Sequence, residues 1–272
     1  MTNFEYLRQL AQALTRLEDL TTPEAKDVLY ELALRIYALL LRLLPEGRME
    51  RYMQWSLIRA EILIELQSAS AALGAQLYSR IAAAEMVVRE PTATFYDIPL
   101  EALPPRPLET LLDSTIVLGT PISTLYTPDP ATGYSPFTLQ LMRLLERSVL
   151  ALFFQEASTA EIANRVMGQR MVGGVPRPLP SRGTVANAWV ERYRAIVAAS
   201  LWSVVTPTQL RAVAALRLLG APTPTLWVWN AILDPRTCPI CRPLDGTTAP
   251  TPDAFPRGAP PLHPLCRCIV LP

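Results

Sequence analysis

Apolar residues recur at a helical spacing from the start of the chain. Phe4, Leu7, Leu10, Leu14 and Leu17 fall on one stripe and leave Arg8, Arg16 and Glu18 for water, which predicts an amphipathic helix over residues 3–20. Thr21-Thr22-Pro23-Glu24 has the composition of a helix start, with Thr at the cap, Pro in the first turn and Glu placed to close a capping box. A second helix is predicted from there to Leu44, stopped by Pro45 and Gly47. Its apolar face is broad, as in a helix buried on two sides. Trp55, Ile58, Ile62, Leu66, Leu77, Ile81 and Met86 carry the period over residues 48–90, which fits one long helix or a hairpin broken near Gly74 equally well.

The texture changes at Pro91. Prolines at 91, 99, 104, 105 and 107 and a Pro-, Gly- and Asp-rich stretch over 127–135 predict an extended connection with one short helix near 108–117. It reads as a linker or as an arm laid over a neighbouring subunit. Helices resume at Ser135-Pro136 and run to about Gln155, and Ser158-Thr159-Ala160-Glu161 has the spacing of a capping box. The stretch over 171–183 is predicted as a loop. A long helix over 184–205 carries Trp189, Tyr193, Ile196 and Trp202, and Thr206-Pro207-Thr208 caps another ending at Gly220. The aromatic and β-branched run over 225–233 reads as a strand, with 269–271 able to pair with it. The expected fold is mainly α, a multi-helix body with a small C-terminal zinc-stabilised module containing β structure. Its regions are a helical 1–90, a connection 91–135, a second helical 136–222 and a C-terminal 223–272.

Half of the residues are hydrophobic and 18% are charged, so the chain is neither disordered nor collagen-like. The formal net charge of +1 gives no whole-chain attraction to nucleic acid or to an acidic membrane. Lys26 is the one lysine among 25 basic residues, a bias that a GC-rich genome or a hot habitat also produces. The first residues lack the basic start and unbroken apolar core of a signal peptide, and the apolar run over 32–44 is cut by Arg35 and Arg42. A cytoplasmic site of synthesis is expected, where clustered thiols hold metal more readily than they pair as disulfides.

All four cysteines, Cys238, Cys241, Cys266 and Cys268, and the single histidine, His263, lie after residue 234. Cys238-Pro-Ile-Cys241 has the two-residue gap that lets two thiolates converge on one ion, and His263-Pro-Leu-Cys266 repeats it with an imidazole. Zinc is the expected occupant. Cys268 is a fifth candidate for four positions; spacing slightly favours Cys266. A shell of thiolates and imidazole supplied entirely by the protein predicts a structural ion. The nearest carboxylates, Asp234 and Asp245, precede Pro and Gly and read as turn formers. With the only histidine assigned to the metal, no Ser-His or Cys-His pair is available, and no glycine-rich phosphate loop appears. No catalytic role is expected.

The wording of this tail is distinctive. After Trp227-Val228-Trp229 come Leu233, Asp234, Arg236, Thr237, Cys238, Cys241, Leu244, Asp245 and Gly246, then His263, Pro264, Cys266, Arg267 and Cys268. The pattern resembles the head morphogenesis, or minor head, proteins of tailed phages similar to the Mu F protein. Members also carry a segment like 159–166 and a following helix with an Arg-Thr-Glu element; Glu191-Arg192-Tyr193-Arg194 stands in that region without it. The resemblance implies a virion component present in few copies at the portal vertex or capsid interior, acting in head assembly, DNA packaging or delivery. Its implied partners are the portal protein, the major capsid protein or both, with phage DNA as a further candidate and no membrane. The alternative is a zinc-containing DNA-binding or nucleic-acid processing protein, with Arg236, Arg242, Arg257 and Arg267 as a basic surface around the module.

Overall fold

The first stretch of the computed structural model is one helix, α1 (Asn3–Leu43), where the sequence predicts two. The buried positions explain the continuity. Leu10, Leu14, Thr21, Ala25, Leu29, Leu32, Ile36 and Leu40 are all buried at steps of three, four or seven that pass through the expected break. Pro23 and Asp19, the residue whose carbonyl loses its helical donor, both lie on the exposed side, and the Thr21 hydroxyl donates to the Leu17 carbonyl at 2.7 Å. Burial of a continuous face thus outweighs a start signal.

The second helix, α2 (Arg48–Phe95), likewise runs through Gly74 and Pro91. There follow a short 3-10 turn (Leu100–Ala102), α3 (Leu108–Ser114), the strands β1 (Ile116–Val117) and β2 (Thr120–Pro121), and α4 (Ile122–Leu125). Next come α5 (Pro136–Phe154), α6 (Thr159–Met167), β3 (Gln169–Val172), β4 (Val175–Pro178), α7 (Val185–Trp202) and α8 (Val205–Leu218). The chain ends with β5 (Trp227–Asn230), β6 (Thr248–Ala249) and β7 (Ile269–Leu271). The structure describes residues 1–117, 119–172, 175–231, 238–263 and 265–272. The mainly helical class with a small β-containing C-terminal region is as expected. Within the stretch predicted as a loop, residues 171–172 and 175–178 belong instead to an antiparallel ribbon, β3 against β4.

Two compact units are formed, each from separate stretches of chain. The first comprises Met1–Thr21, Leu77–Ser123 and Arg194–Pro272. Its core joins Tyr96, Ile98 and Leu103 to Ala212, Val213 and Leu216 of α8 and to Trp227, Trp229, Phe255 and Val270. Tyr6 stacks on Phe95 with ring centroids 4.4 Å apart, and its hydroxyl bonds to that of Thr92 at 2.9 Å. The Pro-rich connection is fastened here to its own chain. Buried Glu85 pairs with Arg106 at 2.8 Å and with Arg211 at 2.9 Å, and the Arg89 guanidinium donates to the Leu103 carbonyl at 2.7 Å. Burial by itself raises the Glu85 pKa, but the two guanidinium groups hold it below the ordinary carboxyl value. Ile98, Leu103, Leu111 and Val117 of this connection are buried.

The second unit comprises Thr22–Gln76 and Thr124–Tyr193. Arg35 pairs with Glu65 at 2.9 Å, fastening α1 to α2. Arg51, fully buried, donates to the carbonyls of Pro45 at 2.7 Å and Ala157 at 2.5 Å, so one side chain holds two interhelical turns. Ser135 caps α5, accepting from the Thr138 amide, and Ser158 closes a capping box with Glu161 on α6, both as predicted. A Cβ on Gly74 would stand 2.8 Å from the Cβ and Cγ of Tyr126. That glycine serves close approach of an aromatic ring, not a helix break. Leu34 and Leu41 on α1 and Met49, Met53, Leu57 and Ile64 on α2 are exposed, so the apolar face of the first of these helices is narrower in burial than its sequence suggests.

Candidate metal centre

The C-terminal part of the first unit is a three-stranded antiparallel sheet in the order β6-β5-β7. Val228 of β5 lies opposite both Thr248 and Leu271, and Asn230 opposite Ile269. The pairing of 269–271 with the aromatic strand follows the sequence expectation; β6 is an addition. Trp229 is fully buried and meets Phe255 edge-on at 5.3 Å. Asp245 and Gly246 close the β5–β6 connection. The Asp245 carboxylate accepts from the Ala231 amide at 2.8 Å, and Gly246, at φ 75°, donates its amide to the Trp229 carbonyl at 2.8 Å. Asp245 is thus the turn former its sequence suggests. Leu233, Asp234, Arg236, Thr237 and Pro264 lie outside the described residues.

Two tight turns bring the cysteines and the histidine together. In the first, the amides of Cys241 and Arg242 donate to the Cys238 carbonyl at 3.2 and 3.1 Å, and the Cys241 amide also reaches the Cys238 sulfur at 3.3 Å. In the second, the Cys266 amide donates to the His263 carbonyl at 3.1 Å, with Leu265 in the left-handed region at φ 65°. The His263 Nε2 lies 2.8 Å from the Cys238 sulfur and 3.1 Å from that of Cys241, which is 3.7 Å from the Cys266 sulfur. Two overlapping groups could hold a metal ion: Cys238, Cys241 and His263, and Cys241, Cys266 and Cys268. Cys241 belongs to both, so all five predicted residues meet at one locus.

The chemistry of this donor set suits a soft or borderline ion. Zinc at ~2.3 Å from sulfur and ~2.0 Å from nitrogen sets tetrahedral edges of about 3.8 Å between sulfurs and about 3.5 Å between sulfur and nitrogen. The Cys241–Cys266 separation matches the first edge, while the imidazole stands closer to its two sulfurs than the second. A hydrogen bond from the Cys268 thiol holds Cys266 well below the ordinary thiol value, at about 5; burial pushes Cys241 up to about 12, and the bond to Cys266 raises Cys268. A dication bound here would supply the charge that buried thiols need to ionise.

Two features bear on what the centre can do. A cleft of about 280 Å³ opens beside His263, lined otherwise by Ile116, Val117, Gly119, Ala199, Pro261 and Leu262. None of those six side chains can carry a proton. Arg267, expected on a basic surface, is instead buried between the two cysteines and donates to both carboxylate oxygens of Glu18 at 2.7 and 3.0 Å. Arg194 stands 3.8 Å from the same carboxylate. Arg242 and Arg257 are exposed, and Arg236 lies outside the described residues. Glu18, assigned by its charge to water, is 1% exposed. The signal was present in its position, four residues after Leu14 and three before Thr21 on the buried stripe.

The family model for Phage Mu protein F like protein matches residues 182–271, about a third of the chain. The family resemblance read from the Cys/His motif is shown over those residues. No curated protein and no solved structure matches the chain. No helix among the described residues is long and apolar enough to cross a membrane.

Proposed function

We propose, from the match of residues 182–271 to the Mu F-like family, that this chain is a non-enzymatic minor head protein of a tailed phage. It acts in head assembly and in DNA packaging or delivery, as a virion component at the portal vertex or capsid interior in several copies. The portal protein or the major capsid protein is its partner. The convergence of Cys238, Cys241, His263 and Cys266 within the family-matched segment is the observation that carries the reading. These four hold a structural zinc, with Cys268 donating a hydrogen bond to the Cys266 sulfur. Bound zinc supplies about 10 kcal/mol or more toward folding a tail with few core-sized side chains. The exposed Met49, Met53, Leu57 and Ile64 on α2 offer an apolar face for subunit contact.

A nucleic-acid processing role is less well supported. Among the described residues the cleft beside His263 is lined by no side-chain acid or base other than the imidazole, and Arg267 is committed to Glu18. The test is protein composition of purified heads by quantitative mass spectrometry, together with a phage from which the gene is deleted. The reading predicts the chain in mature heads at far fewer copies than the major capsid protein, and defective heads in the deletion. Intact, infectious heads lacking the chain would remove it.

A further inference from the structure

Cys266, Arg267 and Cys268 divide two tasks among three consecutive residues. The sulfurs of Cys266 and Cys268 lie with that of Cys241 within 4.8 Å of one another, while the guanidinium between them reaches the carboxylate of Glu18 on α1 at 2.7 and 3.0 Å. Glu18, Cys266, Arg267 and Cys268 are all buried. One nitrogen of Arg267 makes both contacts, and its Nε finds no hydrogen-bond partner. Among the described residues Glu18 is therefore the group that fixes this guanidinium. The segment is anchored on either side as well. The Cys266 amide donates to the His263 carbonyl at 3.1 Å, and Ile269 opens β7 opposite Asn230 of β5.

A guanidinium has donors and no acceptor, so Arg267 cannot itself ligate a cation. What it can do is hold the backbone of its two neighbours. A thiolate binds more tightly when its position is set before the ion arrives, and partners that orient ligands from behind typically account for about 10- to 100-fold in metal affinity. We infer that Glu18, acting through Arg267, is a positioning residue of the metal centre, holding Cys266 and Cys268 against Cys241 for zinc. This role rests on the zinc reading of the tail and adds to it, because an acid 249 residues before Arg267 then sets part of the affinity. Linkage makes the effect reciprocal, so bound zinc holds the Glu18 segment of α1 by the same factor.

The experiment uses the full-length protein, with zinc affinity measured by competition against a chromogenic chelator for wild type, Glu18→Gln, Arg267→Met and Glu85→Gln. Glu18→Gln and Arg267→Met each weaken zinc binding by about 10- to 100-fold. Glu85→Gln breaks the buried contacts to Arg106 and Arg211 in the same unit and leaves zinc affinity as in wild type. That control separates positioning from a general loss of stability. A second measurement needs no Glu18 variant: zinc added to the apoprotein slows hydrogen exchange over residues 14–20 of wild type and does not in Arg267→Met. Equal zinc affinity in wild type and Glu18→Gln overturns the assignment alone. So does an equal loss in Glu85→Gln, or exchange around Glu18 that zinc leaves unchanged. A wild-type protein that binds no zinc overturns it together with the metal reading, so the two failures are distinguishable.

Discussion

Removing the carboxylate of Glu18 should destabilise the protein more than any surface substitution. Its side chain is 1% exposed and that of Arg267 8%, and one guanidinium nitrogen reaches both oxygens at 2.7 and 3.0 Å. Glu18→Gln leaves Arg267 buried without a counter-charge, and Arg194, 3.8 Å from that carboxylate, adds a second cation to the same space. The cost of breaking one side of a buried pair is about 3–5 kcal/mol. At roughly 2–4 °C per kcal/mol for a chain of this size, the melting temperature falls by about 6–20 °C. Arg267→Met should cost a similar amount. The double variant Glu18→Leu/Arg267→Met, which replaces both charges by apolar groups, should recover most of the loss. Urea unfolding of the two singles and the double closes a cycle whose coupling term is predicted at about 2–3 kcal/mol. A Glu18→Gln protein within 0.5 kcal/mol of wild type, or additive single effects, would refute the pair as a buried contact between α1 and the cysteine-bearing tail.

Three further outcomes are expected. Gly74→Ala gains about 1 kcal/mol of helix propensity but forces a Cβ to within 2.8 Å of the Tyr126 side chain. Overpacking of about 1–3 kcal/mol should win, seen as a lower urea midpoint. Ser158→Ala removes the capping box of α6, in which the Ser158 amide reaches Glu161 at 2.7 Å, and should cost about 1 kcal/mol by the same assay. The Glu85 carboxyl, lowered by its arginines when folded, stabilises fully above the ordinary carboxyl pKa and loses that contribution as pH falls through the lowered value. Glu85→Gln should therefore lower stability at neutral pH and flatten the acid limb of a stability–pH profile; an unchanged acid limb refutes the assignment.

Local signals were legible where nothing larger opposed them. The caps at Ser135 and Ser158, the pairing of 269–271 with the aromatic strand and the Asp245-Gly246 turn were all readable from residue type and spacing. So was the convergence of the four cysteines and His263, because five side chains of metal-ligand type, four of them paired at two-residue gaps, have few other reasons to cluster. Pro23 and Pro91 are breakers by propensity, yet each sits in a helix whose continuous buried face outweighs it, and the same continuity decides for one long helix through Gly74. The ribbon was hidden by its own prolines, which spare the inner hydrogen bonds only when spaced by two. Glu18 reads as exposed by its charge and as buried by its position, and its partner lies 249 residues away.

The role of the cysteine-rich tail as a metal staple is tested most directly by X-ray absorption at the zinc edge of purified protein, with metal content measured on the same sample. One zinc per chain is predicted, with three sulfurs at ~2.3 Å and one nitrogen at ~2.0 Å. Cys266→Ser should lose a sulfur and Cys268→Ser keep all three, and chelation should unfold the tail. A protein that folds its C-terminal sheet without metal, or a zinc carrying a water in place of the fourth protein ligand, would contradict it.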